Sequence, residues 1–356
     1  MTAAPSPDAV ELAWFTDLES RRELWQRLAR RSRNVFATWE WAQVWWRHFG
    51  GGTEPAFAEC RRPGGEPFAI LPLHTVRRGP LRILRLLGHG PADVLGPVCD
   101  PADAAAAAAA LRGALGRPGS ASLLVGERLS GGAVAAGLGG RLLLSEANPR
   151  LTVGGRSWED FVSSRSRNLR EKLRRSERRA GREHRVEYRL CESPEELEPD
   201  LDTLFRLHRA RWGAGTSFGA PANVAFHRDL AAAFLATGRL RLWTMTLDGE
   251  PAACWYGFRF ERIEAYYQAG RDPAYDRLSV GFLMLARTLQ AAFEDGLESY
   301  AFLRGDEPYK ERFADADDGL ETRLVGKGPL GTAMAAGAGA ALRVAPLRRL
   351  LARRLL

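Results

Sequence analysis

The chain has 356 residues, 45% hydrophobic and 26% charged, with a formal net charge of +8, a balance that suits one large or two ordinary soluble domains with a sizeable core. Four cysteines (Cys60, Cys99, Cys191, Cys254) are scattered without CxxC spacing, which points to a reducing compartment and argues against a zinc knuckle or a disulfide framework. No apolar run reaches the length of a membrane span, and the acidic Met1–Ser20 stretch is not a signal peptide, so a cytoplasmic protein is expected.

The charge is unevenly placed. Arg165 to Arg185 holds ten Arg and Lys against three Glu, and Lys327 to Leu356 adds six basic residues and no acid. A mildly acidic body with two basic appendages follows, and such segments attract phosphates, nucleic acid or anionic lipid.

Residues 1–50 read as helices. Leu18, Leu24, Trp25 and Leu28 form one stripe, and Thr38 is placed to cap a second helix that carries Trp39, Trp41, Trp45 and Trp46. Core packing is a simpler role for these tryptophans than a stacking box. From Ala56 the period changes to two, giving a hairpin around the turn 63–65, a strand over Leu81–Leu87 and a short strand over Val94–Val98. A helix over Asp100–Leu115 and a strand over Ala121–Gly126 follow, then extended chain from Leu142 to Val153.

The second half opens with one long basic helix over 157–185. Ser193-Pro194-Glu195-Glu196 starts another helix that runs to Arg211. A helix over Val224–Thr237 leads into a three-strand antiparallel meander, Arg239–Leu247, Ala252–Phe260 and Ile263–Ala269, whose first turn is Asp248-Gly249. The helix Val280–Asp295 ends at Gly296, and the strand Ser299–Leu303 runs into Arg304-Gly305-Asp306-Glu307-Pro308-Tyr309-Lys310. Strand ends that open into charged loops are where scaffolds place chemistry. The Lys is notable, because this arginine-rich chain has only Lys172, Lys310 and Lys327. A charged turn whose ions merely pair on the surface is the plainer reading. The element order of the two halves is similar, which places a boundary near residue 150.

Particular words then resemble a family. Tyr266-Tyr267-Gln268-Ala269-Gly270, Tyr275, Ser279-Val280-Gly281 and Phe302 to Lys310 are similar to the acetyltransferases grouped with the CelD/BcsL-type proteins of bacterial cellulose and exopolysaccharide biosynthesis. Phe36-Ala37-Thr38-Trp39-Glu40-Trp41 and Arg167-Asn168-Leu169-Arg170 resemble that family's early helix and basic helix. The resemblance implies the GCN5-related N-acetyltransferase (GNAT) fold and a relation to the Fem peptidyltransferases, which use aminoacyl-tRNA. The expected class is α/β (α+β), with two tandem acetyltransferase-like units, each a mostly antiparallel twisted sheet flanked by helices. The expected units are 1–150 (a degenerate copy) and 151–328 (with the donor site), followed by a basic amphipathic tail, 329–356.

The implied reaction moves an acyl group from acyl-CoA, most simply acetyl-CoA, to an amine or hydroxyl of a sugar, glycan precursor or small metabolite, without a metal. The usual phosphate loop of the family, Gln/Arg-x-x-Gly-x-Gly/Ala, is absent, and Arg277-Leu278-Ser279-Val280-Gly281 stands in its place. Ser279, Val280 and Gly281 are the expected cofactor-binding residues, since a helix start offers free N–H groups to a diphosphate. Asp306, Glu307, Tyr309 and Tyr267 are candidate acids and bases. Gln268, Arg304 and Lys310 are candidate substrate contacts. Two other readings stand beside this one: an aminoacyl-tRNA-dependent Fem-like transferase gripping RNA through 165–185, and a non-catalytic membrane-peripheral scaffold touching anionic lipid through 343–356. The six histidines show no ligand spacing, so no metal is expected.

Overall fold

The computed structural model describes residues 10–79, 81–117, 121–130, 132–213 and 218–341. The chain divides into two units, Met1–Ala147 with Asp318–Leu356, and Asn148–Asp317. The expected basic tail helix over 343–356 lies outside the described residues.

In the first unit, a six-stranded sheet runs in the order Glu54–Pro55, Leu73–Arg78, Leu81–Leu86, Leu123–Ser130, Leu320–Gly326, Arg141–Glu146. A four-stranded sheet is built from Glu11–Phe15, Phe57–Arg61, Pro67–Leu71 and Val98–Cys99. Thr38 caps the helix Trp39–Phe49 by accepting from the Trp41 N–H, and Trp39, Trp41 and Trp45 are buried in the core. Two expectations change here. Glu11–Phe15 is a strand rather than part of a helical start, because its alternating side chains pair with Phe57–Arg61. The segment Leu320–Gly326 pairs antiparallel with both Leu123–Ser130 and Arg141–Glu146, so it completes the first unit's sheet and the second unit ends at Asp317 rather than 328.

The second unit is a seven-stranded sheet in the order Val186–Leu190, Leu240–Leu247, Glu250–Phe260, Ile263–Arg271, Ser299–Ala301, Pro149–Thr152, Ala316–Asp317. The meander turns at Asp248-Gly249, both with positive φ, as a tight hairpin requires. One sheet face, with Trp243, Met245 and Trp255, packs against the helices Trp158–Ser164, Arg167–Glu183 and Val280–Glu294 through Phe161, Leu169, Leu283 and Phe293. The alternate strand residues Tyr256, Phe258 and Tyr267 meet Phe234 and His227 of the helix Pro221–Ala236. The helix expected over 157–185 is two helices. Arg165 is extended (φ −82°, ψ 164°), and the Ser166 side chain accepts from the Leu169 N–H to start the second.

Candidate active site

The site is built where two parallel strands part. Ile263, Glu264 and Ala265 pair with Ser299, Tyr300 and Ala301, and the pairing stops there. Glu264, fully buried, is held at that junction by the guanidinium groups of Arg241 (3.1 Å) and Arg259 (2.7 Å). The strand through Ile263 continues to Arg271, while the other ends at Ala301 and becomes the charged loop. A cavity of about 300 Å³ is lined by Tyr266, Ala269, Gly270 and Arg271 from the first chain and by Tyr309, Arg312 and Phe313 from the second.

A bulge decides which tyrosine enters it. Tyr256 stands opposite Gln268, but its neighbour Gly257 stands opposite Tyr266, leaving Tyr267 as the extra residue. Gly257 is required there, since a Cβ would fall 2.2 Å from the Trp255 ring and 2.3 Å from the Ala265 carbonyl. Tyr266 lines the cavity, with its ring 5.5 Å from Trp255. Tyr267 points to the other face and packs on Phe258 (5.3 Å) and His227 (5.5 Å). Gln268 meets the buried His208, Nε2 to Oε1 at 3.3 Å, and does not line the cavity. On this strand, Tyr267, the candidate acid or base, packs on the face away from the cavity, and Gln268, the candidate substrate contact, is engaged with a histidine.

The far end of the cavity is the start of the helix Val280–Glu294. Ser279 adopts the left-handed conformation (φ 58°), and its carbonyl accepts from the N–H groups of Phe282 (2.9 Å) and Leu283 (3.1 Å). The first N–H groups of a helix have no intrahelical acceptor and carry the positive dipole end. Ser279, Val280 and Gly281, the three residues expected to bind the donor, all line the cavity. A Cβ on Gly281 would meet Arg271 Cδ at 3.2 Å, so the glycine lets that arginine lie close to the helix start.

The lining is strongly cationic. Among the described residues, Lys172, Arg211, Arg271 and Arg312 face the cavity with a single acid, Asp276, which is ion-paired to Arg271. Lys172 Nζ sits 4.5 Å from the centre of the Phe282 ring. Burial, then Arg312 and Arg175, lower its pKa. Burial and Arg211 do the same to Arg271. Cations that disfavour one another in a partly dry cleft are relieved by an anion.

The charged loop reaches the cavity only through Tyr309, Arg312 and Phe313. Leu303 and Gly305 have positive φ (57° and 117°), and the resulting turn is stapled from inside by Lys310. The Lys310 side chain is almost fully buried; its ammonium donates to the carbonyls of Leu303 (3.2 Å), Arg304 (2.7 Å) and Gly305 (3.4 Å) and pairs with Glu307 (2.8 Å). The lysine expected to bind substrate is thus committed to the loop's own backbone, because a buried ammonium needs its donors satisfied. Asp306 and Glu307 are exposed, and neither they nor Arg304 line the cavity.

Two phenols meet in its lining. Tyr266 and Tyr309 have ring centres 6.3 Å apart, and Arg211 lines the cavity with them. Burial raises both phenols. For Tyr266, the charge of Arg211 and the nearby Tyr309 oppose that rise; for Tyr309, the neighbouring Tyr266 and Glu307 add to it. Tyr266 heads the word Tyr266-Tyr267-Gln268, but the strand's alternation does not tell which of the two tyrosines faces the cavity, and Arg211 carries no signal of its own. Lys172 carried a faint signal as one of three lysines, but nothing local ties a residue in the basic helix to a turn more than a hundred positions away.

Parallel strands that part over a helix start are the arrangement of the GNAT fold. Residues 167–311 match the family model described as an acetyltransferase (GNAT) domain. Among curated proteins, no sequence relative matches the chain. Solved structures share the fold: FemX (TM-score 0.60, 11% identity, 88% of this chain and 96% of that one), L-PGS from Bacillus licheniformis (0.51, 12%, 84% and 96%) and a tandem GNAT protein from the clavulanic acid biosynthesis pathway (0.50, 13%, 90% and 99%). The chain is two GNAT-like units in tandem.

Proposed function

We propose that the protein transfers an acyl group from acyl-CoA to an amine or hydroxyl of a sugar, glycan precursor or small metabolite, with the donor held in the second unit. The observation that carries this reading is the cavity between the parted strands, which ends on the helix start at Val280 and collects four cations against one acid. A diphosphate fits that end by charge and by the free N–H groups, and Gly281 leaves it room. The part of the cavity lined by Tyr266 and Tyr309 suits the thioester, and the reaction needs no metal, because acyl transfer is served by positioning, a proton acceptor and a proton donor.

Calorimetry of acetyl-CoA and longer acyl-CoAs tests it. The expected result is micromolar binding that weakens at least tenfold in Arg271→Gln and Gly281→Val. Absence of binding to every CoA ester would overturn the donor assignment. One observation favours a second reading, a charged tRNA as donor: Lys172 brings the basic helix Arg167–Glu183 to the cavity itself. Binding of RNA with a steep salt dependence, and none of CoA esters, is the outcome that would select it. A place in exopolysaccharide synthesis, and contact of the basic tail with anionic membrane, belong to the same proposal; liposome co-sedimentation of the full chain against a chain ending at Gly328 tests the latter.

A further inference from the structure

The helix Val280–Glu294 faces two cavities. Phe282, Met284 and Leu285 line the one already described, whereas Leu283, Ala286, Arg287 and Gln290, at i, i+3, i+4 and i+7, form a stripe along a separate groove of about 230 Å³. The opposite wall is the basic helix Arg167–Glu183, through Glu177, Ala180 and Gly181, again at i, i+3 and i+4. Val186 and Tyr188, alternate residues of the edge strand Val186–Leu190, close it together with Trp158. The two cavities share no lining residue, so the groove is not where an acceptor could meet the donor. Its floor is open because the helical residues there are small: a Cβ on Gly181 would meet nothing within 4 Å.

The polar groups of this groove are unevenly committed. Arg287 is paired with Glu294 (2.9 Å), and the Gln290 amide nitrogen also donates to Glu294 (2.8 Å), which leaves the Gln290 side-chain oxygen as an acceptor. Among the described residues, Glu177 has neither an ion pair nor a hydrogen bond. Burial raises its pKa, and Arg174 opposes the rise. A carboxylate, an amide oxygen and the rings of Trp158 and Tyr188 thus line one space, and all of them attract a cation that carries N–H donors. Val186, Leu283 and Ala286 beside them suit a hydrocarbon body. We infer that this groove binds a small organic cation, an amine or guanidinium carried on an apolar body, and that its occupancy acts on the donor cavity. The route is through the two helices. One carries both Glu177 and Lys172, the other both Leu283 and Met284, so a ligand wedged between them fixes the spacing of side chains that line the donor cavity. This goes beyond the acyl-transfer reading and does not need the donor to be a CoA ester.

Phenethylamine, 2-phenylethanol and phenylacetate offer one shape with a positive, a neutral and a negative end. Calorimetry on the full chain is expected to show phenethylamine binding about tenfold tighter than 2-phenylethanol, and no binding of phenylacetate. Glu177→Gln should remove that preference. Gly181→Leu, which fills the open floor with a better helix former, should abolish binding with the fold intact. The coupling is read without any donor. The chain has four methionines, and in methyl-labelled protein the Met284 signal should move when phenethylamine is added to the wild type and stay in place in Gly181→Leu. Phenethylamine binding no tighter than 2-phenylethanol, full binding by Gly181→Leu, or a Met284 signal unmoved at saturation would each overturn the inference. Failure of acetyl-CoA to bind would overturn the acyl-CoA reading alone, because none of these measurements uses it.

Discussion

Both units contain a parallel strand pair of the same length, and they use the ground beyond it in opposite ways. In the second unit, Ile263–Ala265 pairs with Ser299–Ala301 and the chains then part around the cavity. In the first, Ile83–Arg85 pairs with Leu123–Val125, but the chain that follows turns back into the gap. Leu95 forms a parallel bridge with Leu129, its N–H donates to the Arg128 carbonyl (3.0 Å), and the Arg128 guanidinium donates to the carbonyls of Gly90 (2.8 Å) and Ala92. Leu95 and Ala92 are buried there. Close by, Arg85 and Glu127 form a buried ion pair, and the His74 and His89 rings stack 5.3 Å apart. The same junction thus supports either an open cavity or a self-filled core, and what separates them is whether the following segment carries apolar side chains and donors able to close the gap.

Acidification is the largest lever on that difference. Burial pushes His74 down to about 3 and His89 to about 2 in the first unit, and His208 to about 4 and His227 to about 3 in the second. Each is neutral when folded and, with an ordinary value of 6.5, takes up a proton more readily when unfolded. Stability is therefore fully present above pH 6.5 and is lost as pH falls toward the folded values, by about 1.4 kcal/mol per pH unit for each group. Thermal unfolding followed from pH 7 to pH 5 is expected to show a steep loss. His74→Phe should flatten it for the first unit and His227→Phe for the second; parallel slopes in all three proteins would refute the assignment.

Removing a buried ion comes next. Lys310→Met deprives three carbonyls of their donor, and about 1–3 kcal/mol of stability in the second unit should go with it, read by urea unfolding. Glu127→Ala leaves the buried Arg85 uncompensated in the first unit, at about 3–5 kcal/mol. The two variants part company in a second readout: Lys310→Met frees the loop that presents Tyr309 and should weaken donor binding, whereas Glu127→Ala should leave the donor affinity of the folded protein unchanged. Equal effects on binding would deny that only the second cleft is in use. The smallest effect concerns the helix that delivers Lys172. Ser166→Ala removes its N-cap and should cost about 1 kcal/mol, with little change in affinity at saturating stability.

Much of the second unit is legible from local pattern. Asp248-Gly249 between alternating runs predicts the first hairpin, and the structure has strands Leu240–Leu247 and Glu250–Phe260 around it. The helix expected from Val280 starts at Val280, and Ser279-Val280-Gly281 stands at its head. These features depend on turn chemistry, caps and periodicity, which act over a few residues. Less was legible where a single residue changes the count. The break at Arg165-Ser166 interrupts a continuous basic stripe, and the bulge at Tyr267 shifts the alternation so that Tyr266 enters the cavity.

The sequence by itself determined the meander, the helix start and the charged turn, because each is written in neighbouring residues. Only the tertiary structure decided that Lys310 is a buried staple, that Lys172 and Arg211 from two separate helices converge on Tyr266 and Arg271, and that Leu320–Gly326 closes the first unit's sheet. Those outcomes depend on which distant surfaces bury one another. Burial changes what a charge can do: the same ammonium that would meet a substrate at a surface must, inside, satisfy its donors on the nearest carbonyls.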